Sequence, residues 1–321
     1  MTTPSNKITV NNDLVIYNDL AQTAYIERIQ DVVEVFNGAS RNTLQLVSEL
    51  IEGDFRQRAE YVPFGEIRHR NVNSDAEVEP TKIDMKEDIG VKTPWIFPTV
   101  AVTKESFKRR ARSPEEFSLL AGQMLADKAI AYQISLALGS LEAAIRANPT
   151  MVVGGKSIAT DGKKVITAGL RKFGDRAERV TALVMNSTRY FDFVDKSIED
   201  KIFEEAGAVV YGGQPGTMGR PVIVTDRCPA NLIFGLQPGG ATLTESQAPE
   251  IASWPIYDRE NFAVGFKAEG VLNVDLLGYS YIKAKGENPN ITILSDPESW
   301  EKLAVSDKAT AGVLIDVAAQ S

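Results

Sequence analysis

One stretch of this chain leaves little choice of secondary structure. Residues 114–147 contain no helix-breaking signal before Asn148-Pro149, and the entry at Ser113-Pro114 with Glu116 supplies an N-cap, a first-position proline and a capping-box partner. Gly122 and Gly139 stand alone in an Ala- and Leu-rich run, a pattern that a helix tolerates at roughly 1 kcal/mol per glycine. At ~1.5 Å per residue such a helix spans roughly 50 Å, against a mean globular helix of about 11 to 12 residues. It must therefore act as a spine to which other elements attach. Phe117, Leu120, Met124, Ile130, Ile134, Leu138, Leu141 and Ile145 recur at steps near three, four and seven, which gives one apolar face. Asp127 and Lys128 interrupt the middle, and Ala121, Ala126, Ala129, Ala131, Ala137, Ala143 and Ala144 permit close approach of other backbone. A coiled-coil strand is the alternative, but a single segment lacks sustained heptads with flanking charges.

The rest of the chain has enough material to bury such a helix. Its 321 residues correspond to roughly two domains, and 43% hydrophobic content supports real cores. With 35 basic and 43 acidic residues the net charge is -8, so the molecule as a whole does not attract phosphate or anionic lipid at long range, although a local basic patch remains compatible with it. The lone Cys228 excludes an intrachain disulfide, and residues 1–12 lack the apolar core of a secretory signal. No stretch approaches ~20 uninterrupted apolar residues, so no membrane partner is expected.

Before the spine, residues 13–36 read as a helix closed by Asn37-Gly38, and a shorter helix is expected over 42–51. Residues 54–108 change character, with four prolines and two-residue alternation over 82–86 and 99–103. They predict a long extended hairpin. Its charges are segregated: Arg56, Arg58, Arg68, His69 and Arg70 lie on the first limb, and Asp75, Glu77, Glu79, Asp84, Glu87 and Asp88 around the tip and return. With few large apolar groups this segment cannot bury itself, and its regular alternation points to a partner surface. After the spine the pattern is α/β: a helix over 159–173, a strand over 180–185, a helix from Asn186-Ser187 to about 198, and a strand over 221–225. Residues 232–236 and 241–245 flank Gln237-Pro238-Gly239-Gly240 and predict a hairpin. Strand character returns over 262–282 and in a small apolar strand at 311–317.

Catalytic equipment is scarce. His69 is the only histidine, which excludes multi-histidine metal sites, and a Cys228–His69 pair is disfavoured by their settings. Gly212, Gly213, Gly216 and Gly219 fit neither dinucleotide nor P-loop spacing and precede a strand, so they read as a loop. Glu115/Glu116 and Asp192/Asp195 are surface or capping acids, and Trp95, Trp254 and Trp300 are too scattered to form a stacking platform. No catalytic, cofactor or metal residue is expected, and an enzyme is the distant reading.

The order of helical arm, extended hairpin, spine helix, α/β region and returning strands resembles the major capsid protein of tailed bacteriophages, a fold shared with encapsulins and the herpesvirus capsid floor. The resemblance covers nearly the whole chain. Its sharpest local piece is residues 218–229, similar to the family's Gly-x-Pro-Val strand ending at a proline, followed by the segment 232–245 and the charged lead Asp258-Arg259-Glu260-Asn261-Phe262. It implies an α+β fold with an N-terminal arm (1–53), an extended loop (54–108), a peripheral domain with the spine helix (109–149) and further strands (261–285), an axial domain (150–260) and a C-terminal tail (286–321). It implies a structural subunit forming hexamers and pentamers of an icosahedral shell around double-stranded DNA, in the virion and assembled in the host cytoplasm. The alternative is an encapsulin-like compartment. Implied partners are further copies of the chain, a separate scaffolding protein, a portal and decoration proteins, with DNA enclosed but not read by sequence. Inter-subunit contacts are expected at Arg56, Arg58, Arg68, Arg70, Asp75, Glu77, Glu79, Asp84, Glu87 and Asp88, with the spine presenting Phe117, Leu120, Met124, Ile134, Leu138 and Leu141. Some members crosslink a loop lysine to a neighbour, but nothing selects Lys82, Lys86 or Lys92, and no crosslink is expected.

Overall fold

A computed structural model of the protein describes residues 11–61, 72–73, 77, 85–103, 105, 114–204, 219–257 and 260–317. The first elements are helix α1 (Asn11–Ala39) and strands β1 (Leu44–Ser48), β2 (Phe55–Tyr61) and β3 (Met85–Thr103). The spine is helix α2 (Pro114–Arg146), close to the expected span; Ser113, its expected N-cap, lies outside the described residues. Strand β4 (Val152–Lys156), helices α3 (Ile158–Asp161) and α4 (Lys164–Leu170), strand β5 (Ala182–Met185), helix α5 (Ser187–Glu204) and strand β6 (Val222–Val224) follow. Strands β7 (Leu232–Leu236), β8 (Ala241–Glu245), β9 (Glu250–Ile256), β10 (Ala263–Leu276) and β11 (Tyr279–Tyr281), helix α6 (Ile291–Leu294), and strands β12 (Trp300–Lys302) and β13 (Gly312–Val317) complete the order.

The strands form two sheets. The larger, of eight strands, is organised by β10, whose one edge pairs with β3 from Val274↔Val91 to Ala263↔Thr103 while its other edge is shared by β8 and β9. The smaller sheet has the order β4-β13-β7-β5-β6. Strands β5 and β7 are buried at every position, and Leu183, Val184, Ile233 and Phe234 belong to the main core.

The spine helix ties two cores together. Its second half places Leu136, Leu138, Leu141 and Ile145 in the main core with residues of both sheets. Its first half packs Leu125, Ala126 and Ala129 with Ala21 and Tyr25 of α1 against Ile251, Phe266 and Ala268 of β9 and β10. The small residues allow close helix packing, as their distribution implied. Asp127, the break in the apolar stripe, pairs with Arg28 of α1 at 3.2 Å.

Several expectations are corrected. The expected helix over 42–51 is instead β1, a strand in parallel register with β8 that buries Leu44 and Leu46. Tertiary pairing overrides a helix-compatible composition there. The expected helix over 159–173 is broken into α3 and α4 at Gly162, whose φ is +47°. The expected hairpin of 232–236 with 241–245 does not form: the turn is present, but β7 joins the smaller sheet and β8 the larger. Gln237 sits buried between them, its amide donating to the carbonyls of Lys308 and Thr310 at 3.0 and 2.8 Å. Strands β8 and β9 both pair with β10, and β13 lies inside the smaller sheet.

Candidate functional site

Residues 55–61 of β2 face 85–91 of β3 in antiparallel register, so this part of the predicted hairpin exists. The alternating segment 99–103 belongs to the far end of the same β3 and pairs with β10 instead of the facing limb.

Arg56 is held within the chain. Its guanidinium donates to Asp275 Oδ2 at 2.7 Å and lies 3.6 Å from Glu49, with side chains of Arg56 and Asp275 only 17% and 20% exposed. Asn273 donates to the same carboxylate oxygen at 2.8 Å. Gly90, opposite Arg56 in the register, leaves the room that the other oxygen of Asp275 occupies. Removal from water pushes the Asp275 carboxyl above its usual range, against the lowering effect of Arg56. Glu87 pairs with Lys283 at 3.3 Å. Arg58 is exposed and faces Asp88 in the β2–β3 register, and Glu77 is exposed. Arg68, Arg70, Asp75, Glu79 and Asp84 lie outside the described residues, as do His69 and Lys82.

Along the spine, Leu138 and Leu141 are buried, Ile134 packs against the main core, and Phe117 is half-buried. Leu120 and Met124 are 40% and 58% exposed, and the neighbouring Leu119 is 45% exposed. The apolar face is therefore internal over the second half and open to solvent over part of the first. On β3, Met85, Ile96 and Val100 are exposed, and beyond β9 the rings of Tyr257 and Phe262 meet edge to face at 5.9 Å while both stay open to solvent.

A second, half-buried acid anchors α1. The Tyr25 hydroxyl donates to Glu245 Oε1 on β8 at 2.9 Å, and burial pushes the Glu245 carboxyl up, with the tyrosine hydrogen bond opposing. Because the folded form holds this proton more tightly, the stability that it contributes is present below the ordinary carboxyl pKa and is lost as pH rises through the raised value. Glu245→Gln keeps an acceptor for Tyr25 but cannot titrate. Thermal melts across that window should therefore fall less steeply with rising pH in the variant than in the parent; an identical slope would show that Glu245 carries none of this pH dependence.

Cys228 is buried, with its thiol pushed up to about 12 first by burial and then by Glu142. It is an inert packing group. Of the glycine loop, Gly212, Gly213 and Gly216 lie outside the described residues. Among the described residues, no cluster of His, Cys, Asp or Glu has metal-site geometry, and no helix is long and apolar enough to cross a membrane.

A long helix bridging two mixed sheets, with helix α1 packed along it, is the architecture that tailed-phage capsid structures share with this chain. A chain of Mycobacterium phage Adephagia aligns with a TM-score of 0.53 at 10% identity, covering 86% of this chain and 89% of that one. The capsid structure of cyanophage P-SCSP1u aligns at 0.52 and 10% identity (87% and 88% covered), and the mature capsid of bacteriophage PhiM1 at 0.52 and 11% (88% and 87%). No curated protein matches the sequence at a significant level. Residues 13–314 match the model of the major capsid protein 13-like (Gp13-like) family, and the chain belongs to that family. It is a structural capsid subunit that associates with itself in the shell of a phage virion, and the matches favour this over an encapsulin-type compartment.

Proposed function

We propose that the chain forms hexamers and pentamers that close an icosahedral shell around double-stranded DNA, without catalytic activity of its own. The reading is carried by apolar surface that one copy leaves uncovered, at Leu119, Leu120 and Met124 of the spine, Ile96 and Val100 of β3, and the Tyr257–Phe262 pair. Large apolar groups left exposed on a folded subunit mark surfaces that other chains cover. In this scheme residues 54–108 are the extended loop reaching a neighbour, α2 and the larger sheet form the peripheral part, and the smaller sheet forms the axial part around each capsomer centre. A separate scaffolding protein, a portal and decoration proteins complete the assembly in the host cytoplasm.

Closed rings multiply modest interfaces, so the lattice is stable although exposed ion pairs contribute only about 0 to 1 kcal/mol each. The loop charges set register. Negative-stain microscopy of the expressed chain, with and without a scaffolding partner, should show shells; a compact monomer under every condition would defeat the reading. Reversal of Arg58, Arg68 and Arg70 to Glu should lower shell yield, most at low salt, while leaving the melting temperature near the parent's. Arg56 is spared because it serves Asp275. Undiminished yield would remove the loop charges from assembly.

A further inference from the structure

Residues 163–179 carry a basic ridge that the subunit fold does not require. Val165, Ile166, Gly169, Leu170 and Phe173 form the buried side of this segment, and Gly169 lies close against Ile315 and Val313 of β13. Between and beyond these buried positions, Lys163, Lys164, Arg171, Lys172, Arg176 and Arg179 are all exposed, the first three on or flanking α4 and the last two in the short 3-10 stretch Gly174–Arg179. None of the six has an ion-pair partner among the described residues, whereas Arg28, Arg56, Arg146, Arg189, Lys267 and Lys283 each pair with an acid. Only two acids lie within the ridge, Asp175 and Glu178, and Lys308 already pairs with Asp175. In a chain of net charge -8, this concentration of exposed cations within one short segment is a local inversion of the molecular field.

We propose that this ridge is a sequence-independent docking surface for the phosphate backbone of duplex DNA; the choice of DNA rests on the reading of the chain as a DNA-enclosing shell subunit. One observation favours phosphate over an acidic protein. Specific protein interfaces centre on buried apolar or aromatic anchors, and no large apolar side chain is exposed between residues 161 and 180. Backbone recognition of DNA needs only long cationic side chains on a convex surface, with no apolar centre. Six such cations on each subunit, repeated by shell symmetry, let weak adhesion organise the outer layer of packed DNA without holding any one sequence.

The test is salt-dependent binding of a random-sequence duplex to the purified full-length chain. The logarithm of affinity should fall linearly with the logarithm of salt concentration between about 50 and 200 mM, and replacing all six cations with Gln should reduce the slope by about 0.9 for each phosphate that is no longer neutralised. Affinity near 0.1 M salt should drop by at least about tenfold. Arg171→Lys, Arg176→Lys and Arg179→Lys together should keep the slope, and Lys128→Gln with Arg227→Gln, exposed cations elsewhere, should leave it unchanged. An unaltered slope in the six-fold variant overturns the proposal. So does tighter binding of polyglutamate than of duplex, abolished by the same substitutions, which would identify an acidic polypeptide as the partner. Shell formation scored by microscopy on the same preparations separates a failure of the shell reading from a failure of the ridge.

Discussion

Replacing Gly122 with valine should detach α1 from the spine and cost the fold about 3 kcal/mol. A Cβ built on Gly122 would run into the backbone carbonyl of Ala21, which cannot rotate away as a side chain can. Glycine inside a helix costs about 1 kcal/mol relative to alanine, so its presence here is explained by the clearance. Gly139 is the internal control: its Cβ would meet only the hydroxyl end of Ser295. Gly139→Ala should therefore be near neutral or slightly stabilising, while Gly122→Ala and Gly122→Val should both destabilise, valine more. Denaturant melts compare the three, and limited proteolysis should find α1 the first segment cut in the Gly122 variants. If Gly122→Val melted like the parent, the two helices could not be in close apposition at Ala21.

Arg56→Ala should destabilise by about 3–5 kcal/mol, because it strands the Asp275 carboxylate in a site from which water is largely excluded. Gly90→Ala should act through the same group, since its Cβ would take the place of an Asp275 oxygen. With Arg56 gone, the Asp275 carboxyl rises further. The destabilisation should therefore be greatest well above the carboxylate range and shrink as pH falls and the acid is protonated. Arg56→Ala combined with Asp275→Asn should recover much of the stability, a coupling that a double-mutant cycle reads directly. Additive effects would show that the two side chains act separately.

The spine was legible because length and uninterrupted helix propensity are local properties, and so was the succession of arm, strand pair and α/β region. The pairings of its neighbours were not. Residues 42–51 have a composition that serves helix or strand, and the choice is made by β8, some 200 residues later in the chain. The Gln237–Gly240 turn was visible, yet nothing local states that the strands on either side enter different sheets. Arg56 looked like an assembly charge because it stands among other arginines; its partner Asp275 is 219 residues away. The spine's apolar stripe announced burial without saying which half is covered within one copy. The cations of residues 163–179 drew no reading from the sequence, because only the placement of the buried residues among them showed that all six are exposed.

The position of β13 sets a condition on synthesis. It lies between β4 and β7, with parallel and antiparallel ladders on its two sides, about 160 residues after β4. A ribosome-bound chain that has not yet released residues 312–317 holds the smaller sheet with an open slot and two bare edges, a state inclined to join other unpaired strands. The smaller sheet is therefore finished only when the last strand enters it, and a chain cut before residue 312 should lack the ladder on both sides of that slot.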